Sequence, residues 1–150
     1  MNNKAKHQDA CGFKWVVLLI GIVALIWNVL GCLNFFMQIS PDGLESMPES
    51  HQAIAKSRPF WVTVAFGISV ISGVLAAVLL LLKKQLSVVL FIVSFVAAVV
   101  VTIHAIFIGN AFSIFSPLEV SLGIVGPLLA GALFVFVAVV ARNKNWINGV

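Results

Sequence analysis

The chain has 150 residues, of which 61% are hydrophobic and 9% charged, and its formal net charge is +4. A water-soluble domain of this size cannot bury so much apolar surface. Charges this sparse are better explained by their placement along the chain than by a nucleic-acid partner.

Residues 1 to 12 are polar, carry no motif and predict a mobile tail. The first apolar stretch predicts a helix over about 13–38. It is longer than a signal-peptide core, and no small-x-small cleavage site follows it. Its second half carries Trp27, Asn28, Gly31, Asn34, Phe35 and Gln38, which at about 100° per residue fall on one arc of the helix. Three amides and a glycine thus share a face. Asn28, Asn34 and Gln38 are read in two ways, as hydrogen-bonding glue between helices or as the lining of a polar cavity. Cys11 and Cys32 cannot pair without bending the chain and are expected as reduced thiols.

The loop from Ser40 to Pro59 holds Ser46 and Glu49 at capping-box spacing with Pro48 between them, which predicts a short helix over about 47–56. Leu44, Met47, His51 and Ile54 recur at helical spacing. This segment is expected to lie on the membrane surface or over the mouth of the bundle, with Asp42, Glu45, Glu49 and His51 as a solvated face. A second crossing is predicted over 60–82. Along it Ala65, Ser69, Gly73 and Ala77 lie four apart, a small-residue ladder suited to close helix approach.

The third crossing is predicted over 86–109. Its His104 is the only ionisable side chain well inside a span, expected to be neutral and hydrogen-bonded across helices or to face a polar cavity. A tight turn from Asn110 to Pro117 leads into the fourth crossing, over about 118–141. Ser116 and Glu119 again have capping-box spacing, with Pro117 at the first helical position. Gly31, Gly123, Gly126 and Gly131 are expected at helix contacts, and Pro127 is expected to kink the fourth helix.

Of the nine basic residues, Lys4, Lys6, Lys14, Lys83, Lys84, Arg142 and Lys144 lie at the N-terminus, the second turn and the C-terminus, whereas Lys56 and Arg58 alone fall in the first long loop. That asymmetry is the positive-inside pattern and predicts both termini in the cytoplasm. Trp15, Trp61 and Trp146 read as interfacial anchors. No nucleophile–base–acid set, phosphate-binding glycine loop, paired carboxylates or metal-ligand cluster is legible, so no catalytic, metal or cofactor residue is assigned and a non-enzymatic protein is expected.

The pattern Trp27-Asn28-x-x-Gly31-x-x-x-Phe35-x-x-Gln38, followed by Pro59-x-Trp61-x-x-x-Ala65-Phe66, Gly73 and the leucine run ending at Lys83-Lys84, resembles a family of small bacterial inner-membrane proteins of unassigned function, some labelled "sugar transporter". The resemblance implies a bacterial cytoplasmic membrane and four helices. The sequence therefore predicts one all-α domain, an integral-membrane up-down-up-down four-helix bundle with a short amphipathic helix in the first outer loop. Its expected partner is the lipid bilayer. Its expected role is packing or association with other membrane proteins or with itself; the alternative is a carrier for a small neutral polar solute such as a sugar.

Overall fold

A computed structural model describes residues 3–144, 146 and 147, with residues 3–11 described by backbone alone. The described chain is helical: α1 (Asn3–Ile39), α2 (Pro41–Glu45), α3 (Glu49–Ser57), α4 (Phe60–Leu81), α5 (Leu86–Phe107), α6 (Ala111–Ile114), α7 (Pro117–Val120), a π-helical turn (Ser121–Val125) and α8 (Gly126–Asn143). Four stretches are long and apolar enough to cross a membrane, namely Gly12–Ile39, Phe60–Leu81, Leu86–Phe107 and Pro117–Asn143. The rows of exposed side chains on them, such as Leu19, Ile22, Val23 and Ile26 on α1, are apolar, whereas Asn28, Ser69, Ser72, Ser87 and His104 are buried. That arrangement suits hydrocarbon outside and polar groups inside, where Asn28, Ser69 and Ser72 bond to backbone carbonyls and Ser87 Oγ has no partner.

α1 begins well before the expected start at residue 13. Once the apolar run has nucleated the helix, extension backward through the good helix formers Lys4, Ala5, Lys6 and Gln8 costs little. The expected side-chain roles of Cys11 and of Lys4 and Lys6 lie outside the described side chains; Cys32 is a free, half-buried thiol.

The four long helices close a ring of contacts: α4 packs on α1 and α5, α5 on α8, and α8 on α1. α1 and α4 pair in opposite chain directions. Gly21 meets Leu81, Asn28 meets Gly73, Gly31 meets Val70 and Phe35 meets Gly67. Of the ladder of Ala65, Ser69, Gly73 and Ala77, all but the half-buried Ala65 are consumed within this ring. Ser69, Gly73 and Ala77 are buried, and Ser69 and Ser94 lock α4 to α5 reciprocally. Ser69 Oγ donates to the Ser94 carbonyl at 3.1 Å, and Ser94 Oγ donates to the Ser69 carbonyl at 2.7 Å.

Packing is unequal along the bundle. At the end bearing Lys14, Lys83 and Lys144, one continuous core holds Val17, Ala24, Leu80, Val88, Phe91, Phe134, Val137 and Ile147. Trp146 belongs to this closure rather than standing as a free anchor, since Lys83 Nζ lies 4.3 Å from its ring centroid and Lys14 Nζ 5.9 Å. Trp15 and Trp61 are exposed, as an interfacial position requires. At the opposite end the core shrinks to Ile54, Ala111 and Ile124. Small residues there cannot fill the space between helices, and a cavity remains.

Just before Pro127, where the sequence predicts a kink, the fourth apolar helix opens into a π-turn. Pro127 has no N–H and its ring would collide with the carbonyl one turn back. The wider turn just before it relieves both problems, with the Gly126 N–H reaching the Ser121 carbonyl.

Candidate functional site

The cavity at the loop end encloses about 340 Å³, within the roughly 300–1,000 Å³ of ordinary small-molecule sites. Every long helix contributes. α1 supplies Trp27, Asn28, Gly31, Asn34 and Gln38; α4 supplies Phe66, Ser69 and Val70; α5 supplies Phe91, Ser94, Phe95, Ala98 and Thr102. The fourth crossing supplies Gly123, Pro127, Gly131 and Phe134. Its roof is His51, Ile54 and Arg58 of the loop, together with Phe115.

The amide face of α1 does line this cavity, but its members have different duties. Asn28 is 8% exposed, and its Nδ2 donates to the Ala24 carbonyl at 2.8 Å, answering a backbone group one turn back. Its oxygen packs so closely on Gly73 that a side chain there would collide with it. Gln38 Nε2 donates to Asn34 Oδ1 at 3.3 Å, and Gln38 Oε1 accepts from Arg58 Nη1 at 2.8 Å. Asn28 thus bonds within its own helix and meets α4 by packing alone, whereas Asn34 and Gln38 belong to a polar chain that ends on a cation. Phe35 leaves the set, turning its ring onto Phe66 at 5.5 Å between centroids and against Gly67.

Three expectations are corrected. His104 is 5% exposed but lies outside the cavity lining, and among the described residues its ring makes no hydrogen bond. It packs instead against the edge of Trp61, 5.8 Å between centroids. Gly123 makes no helix contact, since a β-carbon there would meet open space, whereas Gly126 is in ordinary contact with Trp27 and Gly131 is tight against Phe95. Ser46 does not cap α3. Its Oγ donates to the Gly43 carbonyl at 2.7 Å, and Pro48 occupies the N-cap without a side-chain bond. Ser46 closes α2, a helix the sequence reading missed, which begins at Ser40 with Pro41 and leaves Glu49 to start α3.

Arg58 and the anchorage of α3 were not read from the sequence as parts of a site. The Ser116 and Glu119 capping box forms as expected, with Glu119 Oε2 accepting from the Ser116 N–H and Oγ, both at 2.7 Å. Its other oxygen reaches across the mouth. Glu119 Oε1 accepts from Ser50 Oγ at 2.7 Å and lies 3.3 Å from His51 Nδ1. His51 also packs on Phe115, 5.0 Å between ring centroids. His51 is therefore half-buried in a latch and is no member of a solvated face. One carboxylate both starts the fourth crossing and holds α3 over the cavity.

Among the described residues no three His, Cys, Asp or Glu side chains gather as metal ligands would. Comparison with protein-family models, with curated proteins and with solved structures finds no match.

Proposed function

We propose that this chain is a multi-pass membrane protein that binds, and by extension carries, a small solute in the cavity at the loop end of its bundle. The observation that carries the reading is the cavity itself. It is of ligand size, built by all four crossings, and roofed by a short helix tied down at its edge. The competing reading, a bundle specialised for association with other membrane proteins, loses its main support, because the small-residue ladder, Ala65 aside, is used on contacts inside the chain. In the membrane we place the bundle up-down-up-down, with both termini and the Lys83-Lys84 turn in the cytoplasm and the cavity facing outward; the distribution of lysines supports this. The resemblance noted above supports a bacterial inner membrane.

Cysteine labelling tests both halves of the proposal. In intact cells a membrane-impermeant maleimide modifies Ser50→Cys on the loop and Thr102→Cys in the cavity wall, and modifies Gln85→Cys only after lysis. Labelling of Gln85→Cys from outside reverses the orientation. A Thr102→Cys that stays unreactive in opened membranes as well means that water does not reach the cavity, and the solute-site reading fails.

A further inference from the structure

Resting on the solute-site reading, we infer that the ligand is an anionic amphiphile, with its charged head on Arg58 and its apolar body among Phe91, Phe95 and Phe134. Arg58 lines the cavity, half-buried, with Nη1 on Gln38 and its guanidinium carbon 5.3 Å from the Phe66 ring centroid. A guanidinium carries five N–H donors and no acceptor. Among the described residues no carboxylate lies within ion-pair distance of it. Glu119 is occupied by Ser50 and Ser116 and does not line the cavity. A cation drawn out of water without a counter-charge is costly, and an anion in the cavity removes that cost.

The hydrogen-bond inventory agrees. The oxygens of Gln38 and Asn34 each hold one donor, Arg58 and Gln38 respectively, whereas N–H groups on Arg58 and Asn34 carry no hydrogen bond among the described residues. Around Arg58 the site therefore offers several N–H donors, as an anionic head requires. Burial lowers the Arg58 pKa, yet an arginine so placed still holds its charge at neutral pH. Deeper in, Phe91, Phe95 and Phe134 line the cavity, which favours an apolar body over a small inorganic anion.

The test uses Trp27, which lines the cavity, as reporter in a chain whose Trp15, Trp61 and Trp146 are replaced by phenylalanine. The protein is placed in phosphatidylcholine nanodiscs at mildly alkaline pH. Decanoate and decanol are titrated against it, with empty discs subtracted. We expect decanoate to bind about tenfold or more tightly than decanol, as a charge-assisted bidentate contact should allow. Arg58→Gln should abolish that preference by weakening decanoate to the level of decanol, and Arg58→Lys should restore part of it. Equal binding of the two probes overturns the anionic head and leaves the pocket standing. No response to either probe overturns the pocket reading with it. Displacement of decanoate on moving to phosphatidylglycerol discs supports an anion drawn from the bilayer, and undiminished binding supports one taken from solution.

Discussion

Replacing Gly73 with alanine lowers the stability of the bundle, and does so much less when Asn28 is alanine as well. The added methyl would overlap the Asn28 carboxamide oxygen and come within 3.0 Å of Ser94 Oγ. Asn28 cannot simply swing away, because its amide nitrogen is held on the Ala24 carbonyl at 2.8 Å. Accommodation therefore requires either loss of that bond or separation of α1 from α4. Overpacking of this kind costs about 1–3 kcal/mol. Removing the Asn28 amide opens the space, so the double-mutant cycle should show a coupling of about 0.5–3 kcal/mol. Reversible unfolding in mixed micelles measures it. Additive effects would mean that Asn28 and Gly73 do not share the contact described here.

The second large effect concerns the roof. Glu119→Ala removes the acceptor for Ser50, the partner of His51 and the reciprocal half of the Ser116 cap in one step. α3 has no side-chain cap of its own and few buried groups besides Ile54, so it depends on this cross-link. Amide hydrogen exchange over 49–57 should accelerate by about an order of magnitude. Exchange in the lysine-end core, which Glu119 does not touch, should stay as it is. Ser50→Ala should reproduce a fraction of the effect. Unchanged exchange in α3 would show that the loop helix is held by Ile54 and Phe115 packing alone.

How much of this was legible in the sequence depends on how local each cause is. The four crossings follow from charge-free runs, and the amide face of α1 and the ladder of α4 follow from helical periodicity, because both are properties of one element. The Ser116 and Glu119 cap was legible for the same reason. Ser46 and Glu49 have the same spacing, yet Pro41 and Ser40 begin an earlier helix and Ser46 finishes it. Spacing alone cannot choose between two starts. Gly123 was misjudged because rotation of a helix about its axis is fixed by neighbours, not by its own residues, and for the same reason the sequence left open whether His104 faces a cavity or packs between helices, as it does. Arg58 was overlooked for a related reason. It lies at the junction of loop and helix, and only the fold brings it to Gln38, far away in sequence. The bond from Glu119 to Ser50 is likewise non-local.

The central claim is that the loop-end cavity holds a ligand, and native mass spectrometry of the protein released gently from its own membrane tests it most directly. The wild-type chain should carry a small bound mass. Ala98→Phe, which places a ring in the cavity wall, should fold with a similar unfolding midpoint and carry none. A wild-type spectrum without any adduct, or the same adduct on both proteins, would contradict the account.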